Sequence, residues 1–390
     1  MNAFRVRHLE NALNRFEQLV TVRQPVDIFL KHYFQEHKRM SSQDKLWIRD
    51  HTYELIRWKA LLDHVSPPPS SWATRLRTYF ISNRSEPFLS SLLYSPFLEY
   101  CISPNANGID CFEICRWRNQ TTNTALSPHL RCCFPEELFM RIEASHGKEK
   151  TVSLCNILNE LPSTFLRVNT NRISRDRVIK FLISRGVTVE KCSSSPSGLV
   201  LGQLVRLKDL PEYTNGYIEI QDESSQLVGY KIEVKPGDKV LDYCAGSGGK
   251  TVVYGPKMEG SGKIYMFDIR KHILRQVRVI FDTTFSVIVD VPCTATGNIR
   301  RNPDVKWSYS DEWLQEIVSR QRKIVQQAIP YMKPTAKLVY VTSSILNDEN
   351  SCQIEYFCEK HNLCLSEAPF HALPQSKGMD GFFCAILEKK

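Results

Sequence analysis

No run of apolar residues in this 390-residue chain reaches the ~18 needed to cross a bilayer. The first residues, Met1 to Phe16, are basic but interrupted by Glu10 and polar side chains, which is not the form of a signal peptide. No membrane partner is expected, and a cytoplasmic location is. Internal repeats are missing too. The thirteen cysteines are odd in number, so they do not form a full disulfide set and read as reduced thiols. Cys111, Cys115, Cys132 and Cys133 are poorly spaced for zinc, because adjacent side chains rarely reach one ion together. No metal is expected, and these four read as buried thiols. With 42% hydrophobic and 24% charged residues, the chain is neither disordered, collagen-like nor a coiled coil. Nothing in it demands an obligate oligomer, so a monomer is expected.

What is present is length for two or three domains, at ~100–200 residues each, and a positive balance of 51 Lys and Arg against 42 Asp and Glu. Residues 1–86 carry 14 basic and 9 acidic side chains. Residues 263–306 carry 8 basic residues, 4 Asp and no Glu, among them Arg270, Lys271, Arg275, Arg278, Arg300 and Arg301. Such an excess suits a polyanionic partner as readily as a solvated surface.

Hydrophobic spacing divides the chain. Leu9, Leu13, Phe16, Leu19 and Val20, then Trp47, His51, Leu55, Trp58 and Leu62, recur at helical intervals and predict an all-α start. Ser66-Pro-Pro-Pro-Ser-Ser breaks that pattern, and no element is placed from there to about Leu130. Phe134-Pro135-Glu136-Glu137 opens a helix. Phe165 to Asn169 reads as a strand, Ser174 to Leu182 as a helix ended by Gly186, and Val187 to Val189 as a second strand. The second half alternates: strands at Val240–Asp242, Lys263–Asp268, Phe285–Asp290 and Lys337–Val341, with a helix from Ser310 to Met332. This is the pattern of a parallel sheet covered by helices. Leu363–Leu365 and Phe382–Leu387 would close it as an antiparallel edge pair. The expected fold is α/β: a Rossmann-like parallel-sheet domain at 231–390, a small α+β domain at 131–230 and a helical domain at 1–130.

Chemistry concentrates in two loops at strand ends. The strand ending in Asp242 runs into Tyr243, Cys244, Ala245, Gly246, Ser247, Gly248, Gly249, Lys250 and Thr251, where glycines permit a sharp turn and close approach of a ligand. Asp268 ends the next strand, 22 residues after Gly246, and a carboxylate there can accept from ribose hydroxyls, or simply cap a helix. Neither a Walker loop nor G-x-G-x-x-G is present. A donor without a pyrophosphate, such as S-adenosylmethionine, fits better. The second loop is Asp290-Val-Pro-Cys293-Thr-Ala-Thr-Gly297. Ligands of open parallel sheets sit beyond the carboxyl ends of strands, so Asp290 and Cys293 should face the same crevice as the glycine loop. A thiol beside Arg300 and Arg301 would be partly ionised.

Together these residues resemble the Sun/RsmB family of RNA cytosine-5 methyltransferases, closely from Phe134 onward. The family's D-x-C-A-x-P-G-G-K-T is here Asp242 to Thr251, with Ser247 for proline. Its D-x-P-C-S-G-x-G is Asp290 to Gly297, followed by Arg300-Arg301-Asn302-Pro303-Asp304. Arg167-Val168-Asn169, Gln221-Asp222-Glu223-Ser224-Ser225 and Gly381-Phe382-Phe383 match further elements. The N-terminal helices resemble the NusB-like RNA-binding domain of bacterial members. The resemblance implies methylation of a cytosine in RNA, most naturally ribosomal RNA, with S-adenosylmethionine bound by Cys244 to Lys250, Asp268 and Asp290. It implies that Asp290 contacts the base, that Cys293 helps release product, and that Arg167, Asn169, Arg300 and Arg301 contact RNA.

Two departures stand out. The family nucleophile is the cysteine of T-C-S, and this chain has Thr342-Ser343-Ser344. A hydroxyl stays protonated near neutral pH and adds poorly to carbon 6. Either Cys293 takes over the attack or catalysis is reduced, leaving an RNA-binding descendant as the alternative. Second, only 21 residues separate Asp268 from Asp290. That is room for about one helix, from Arg270 to about Ile280, and not for a third strand with its acid, although Asp282 lies in the interval.

Overall fold

The computed structural model describes residues 3–66, 70–82, 121, 123–203, 205–269 and 286–390. The expectations for Cys111, Cys115, Arg270, Lys271, Arg275, Arg278 and Asp282, and the helix after Arg270, lie outside them. Two compact units are present, one of residues 1–159 and 299–310, the other of 160–298 and 311–390.

The first unit is helical. Helices Ala3–Glu17, Val26–Glu36, Ser42–Arg57 and Lys59–Val65 follow the apolar stripes, and Ser41 caps the third with a reciprocal Ser41–Asp44 box. Their core holds Leu9, Leu13, Phe16, Phe29, Tyr33, Ile48, Leu55 and Leu62. Of the second predicted stripe, Leu55 and Leu62 are fully buried, Trp47 and Trp58 pack half-buried at the edge of the core, His51 is half-buried, and Ile48, Thr52 and Ile56 also face inward. A helix at Trp72–Ser82 stands where none was placed, and Trp72, Leu76 and Tyr79 bury one face of it at helical spacing. Glu136–His146 begins at Pro135 as expected and stops at Gly147, whose φ of 80° a side chain would resist; Lys148–Leu158 follows.

The second unit holds both sheets. The small one has strands β1 Thr164–Val168, β2 Val189–Lys191, β3 Gly198–Leu201 and β4 Ile218–Ile220 in antiparallel order β2-β3-β1-β4. Helix Arg175–Ser184, capped by the Ser174 hydroxyl, contributes Val178 and Leu182 to its core. The second strand lies two residues later than predicted, because Val187 instead ends the glycine turn with a bond to Leu182 O.

The large sheet comprises β5 Lys239–Asp242, β6 Lys263–Met266, β7 Ser286–Asp290, β8 Lys337–Thr342, β9 Leu363–Leu365, β10 Phe370–Ala372 and β11 Phe382–Lys389. Its order is β10-β11-β8-β7-β5-β6, with β9 also on β11. β6, β5, β7 and β8 run parallel, and β11 is antiparallel to β8, β9 and β10. Period-two alternation buries both faces. Leu241, Val287, Val289, Leu338 and Tyr340 pack against helices Asp311–Ala328 and Ser351–His361. Val240, Ile288, Val339 and Val341 pack against Val228, Tyr254 and Met258. The predicted 310–332 helix ends at Ala328, since Pro330 converts its last turn to a 3-10 helix at Ile329–Tyr331. The outcome is the expected α/β architecture: a largely parallel sheet, a small α+β sheet and an N-terminal helical region.

Candidate active site

β5, β7 and β8 are adjacent and parallel, so the loops leaving their carboxyl ends meet at one rim. The glycine loop is pinned at its base by Tyr243 N donating to Ile288 O at 2.8 Å and Ala245 N to Phe267 O at 3.0 Å. Gly246 and Gly248 take φ of 54° and 82°. The φ of Gly248 is what requires glycine there, since a Cβ would meet only the flexible Met266 methyl, at 2.9 Å. Gly249 O accepts from Gln221 Nε2 at 2.6 Å, which ties the loop to the residue after β4.

A cavity of about 360 Å³ opens over this loop, lined by Asp242, Ala245, Gly246, Ser247, Gly249, Lys250 and Asp290. Its electrostatics favour a cation. Asp242 is buried; Oδ2 accepts from Thr251 Oγ1 at 2.8 Å and Oδ1 has no partner. Burial, against that hydroxyl bond, pushes its carboxyl up to about 6. Lys250 Nζ donates to Asp290 Oδ2 at 2.5 Å and lies 5.2 Å from the centre of the Phe382 ring. Asp268 is buried two residues beyond β6, where its Oδ2 accepts from Gly246 N at 2.9 Å. That oxygen braces the glycine loop. Cys244 is half-buried and Ser247 exposed.

The Pro-Cys loop lies beyond β7. Cys293 Sγ and Ser343 Oγ are 3.2 Å apart, so the Pro-Cys loop and the loop after β8 converge at one place. Gly297 N donates to Ser343 O at 2.9 Å, and Gly381 N to Gly297 O at 3.1 Å, which locks three loops together. A Cβ on Gly297 would meet Gly381 O at 2.4 Å, so both glycines serve a close backbone crossing. Ala295, where the family pattern has glycine, keeps a φ of 57°.

Several expectations need correction. The thiol is not acidified: burial first, then the Glu349 carboxylate, push Cys293 up to about 12, outweighing the Ser343 bond. Arg300 is fully buried within the helical unit, where its carbonyl accepts from Arg57 Nη2 at 2.9 Å. Its side chain does not face solvent and cannot meet RNA there; Arg301 is half-buried. Arg167 is buried too, paired with Glu219 at 3.1 Å across the β1–β4 register. Asn169 is half-buried, its backbone N bonded to Tyr217 O at 2.8 Å. Arg167 belongs to β1, and Asn169 follows that strand directly. Sequence reasoning missed Glu349 and Gln321, which support the Pro-Cys loop from behind. Their signal, a polar pair on two different helical segments, has no local signature.

A parallel sheet whose glycine loop and lysine–aspartate pair meet an aspartate–cysteine loop defines a Rossmann-like methyltransferase domain. The comparisons place it further. A family profile described as "16S rRNA methyltransferase RsmB/F" matches residues 279–388, and one described as "Methyltr_RsmF/B-like, ferredoxin-like domain" matches 134–208. Ribosomal RNA small subunit methyltransferase B of Photorhabdus laumondii is 31% identical over 304 residues, covering 70% of this chain and 69% of that protein. The fold is shared with a crystallised protein called PH0851, at TM-score 0.72 and 22% identity over 100% of this chain and 99% of that one. It is shared also with NSun6 from Pyrococcus horikoshii solved with SFG, at TM-score 0.59 and 20% identity over 66% and 98%. The chain belongs to the RsmB/F family of ribosomal RNA cytosine-5 methyltransferases, enzymes that use S-adenosylmethionine. Among the described residues, no helix is long and apolar enough to cross a membrane.

Proposed function

We propose that this chain methylates carbon 5 of a cytosine in ribosomal RNA, with Cys293 as the attacking group. The observation that carries this reading is the 3.2 Å approach of Cys293 Sγ to Ser343 Oγ, three residues beyond the Asp290 that lines the glycine-loop cavity. A thiol therefore stands beside the vacated nucleophile position. S-adenosylmethionine supplies the methyl group as an electrophilic sulfonium. The residues present suit such a cation: Asp242 has an unpartnered buried oxygen on the cavity wall, and the glycine loop leaves open space above it.

The target base must leave its stack to enter the rim. Asp290, oriented by Lys250, hydrogen-bonds the pyrimidine edge. Cys293 gives its proton to solvent water and its sulfur bonds to carbon 6, which makes carbon 5 an enamine nucleophile. After methyl transfer, loss of the carbon-5 proton expels the sulfur and restores the aromatic ring.

A second reading, an RNA-binding member that no longer turns over, is favoured by the state of the same thiol. Burial and the nearby Glu349 carboxylate both favour the protonated thiol, which is the poorer nucleophile. Transfer of tritiated methyl from S-adenosylmethionine to ribosomal RNA separates the two. The unaltered chain should methylate slowly, Cys293→Ala not at all, and Ser343→Cys at least about tenfold faster, as a second thiol enters a prepared site. RNA binding with no transfer by the unaltered chain or by Ser343→Cys would establish the second reading.

A further inference from the structure

Beneath the Pro-Cys loop lies a polar network from which water is excluded. Glu349 has no exposed surface. Its Oε1 accepts from Thr294 N at 2.9 Å and from Gln321 Nε2 at 2.9 Å, and its Oε2 accepts from Thr294 Oγ1. Gln321 Nε2 also donates to Pro292 O at 3.0 Å. Gln321 is fixed in turn by Tyr340 and Gln353, which donate to its Oε1 at 3.1 and 2.8 Å. The residues on both sides of Cys293 are thus held by one buried carboxylate and the amide bonded to it.

We propose that Glu349 is a positioning residue for Cys293: it grips the turn through Thr294 and places a negative charge behind the sulfur. A buried carboxylate is costly unless it is hydrogen-bonded, and this one is satisfied on both oxygens. A neutral amide would serve the turn with fewer penalties, so the charge calls for an explanation. Its consequence is electrostatic. Coulomb repulsion in a dry interior disfavours a second negative charge at the sulfur, which keeps the resting thiol protonated. Burial and Glu349 are the two causes that raise it, and the Tyr340 phenol couples to both groups. Burial opposes the Glu349 charge as well, and the hydrogen bonds donated to both of its oxygens by Thr294 and Gln321 favour the ionised form against it. The thiol is therefore protected from adventitious oxidants and alkylators until a substrate changes its surroundings. This rests on Cys293 being the attacking group, yet its test does not require turnover.

The test is alkylation of Cys293 by iodoacetamide between pH 7 and 9, read by peptide mass spectrometry, with the exposed Cys352 as internal reference. Only the thiolate reacts, so below the midpoint the rate reports the ionised fraction. Glu349→Gln keeps an acceptor for Thr294 and removes the charge. Cys293 should react about tenfold faster or more at each pH, a fall of at least one pH unit in its midpoint, while Cys352 is unchanged. Should Glu349→Gln fold poorly, Glu349→Gln with Thr294→Val removes the unmatched hydroxyl donor and carries the same expectation. Unchanged alkylation of Cys293 in whichever variant folds overturns the proposal. Absence of methyl transfer with faster alkylation leaves it standing and removes only the catalytic reading.

Discussion

At the scale of single residues, the candidate site is assembled from side chains that cost stability. Asp242 shows this with a sign that can be checked. Its carboxyl is raised from 3.8 to about 6 by burial, so the folded chain holds that proton more tightly than the unfolded one. Stability then falls as pH rises from about 4 to about 6, and the cost persists above. Asp242→Asn should stabilise the chain by about 3 kcal/mol at pH 7.5, two units at ~1.4 kcal/mol each, and by nothing at pH 4. Donor affinity, by calorimetry, should fall in the same variant. Equal stabilisation at both pH values would contradict the burial account. Ala295 is a second case. A non-glycine residue at φ 57° is strained by about 1 kcal/mol, so Ala295→Gly should raise the melting temperature without removing any contact. A lower melting temperature in Ala295→Gly would show that the turn is not strained.

At the scale of elements, the segment after the Pro-Cys loop has a role its sequence disguises. Arg300 to Lys306 reads as a basic stretch fit for phosphates. Lys306 is instead fully buried in the helical unit, donating to Arg57 O at 2.7 Å, Cys133 O at 2.8 Å and Asn159 Oδ1 at 2.9 Å. Burial pulls its ammonium down to about 8, but three acceptors and no donor around Nζ require three N–H groups, which only the charged form has. Lys306→Met leaves those oxygens without a donor. It should cost about 3 kcal/mol in urea denaturation, in line with the penalty for stranded buried acceptors. A loss well under about 1 kcal/mol would mean that water or another group replaces the lysine. The parallel strands were legible because continuous Val, Ile and Leu runs have few alternatives. So were the glycine and Pro-Cys loops, since their residues are sequential. The short strands β3 and β4 were not, because Gly198-Leu-Val-Leu and Ile218-Glu-Ile are shorter than any reliable period and are defined by their partners. The fate of Arg167 and Arg300 was not legible either, because burial of a charge depends on residues remote in sequence.

At the scale of the whole molecule, the chain is a member of the RsmB/F family whose large sheet carries a glycine loop, a Lys250–Asp290 pair and, beside them, Cys293 next to Ser343. The proposed chemistry turns on whether the Cys293 thiol attacks carbon 6 itself. RNA carrying 5-azacytidine traps a sulfur that adds to carbon 6, because the ring nitrogen at position 5 blocks the elimination that would release it. Incubated with such ribosomal RNA and S-adenosylmethionine, the unaltered chain should form a covalent complex stable to denaturing electrophoresis, and Cys293→Ala should form none. A complex that persists in Cys293→Ala would assign the attack to another residue and contradict the account at its centre.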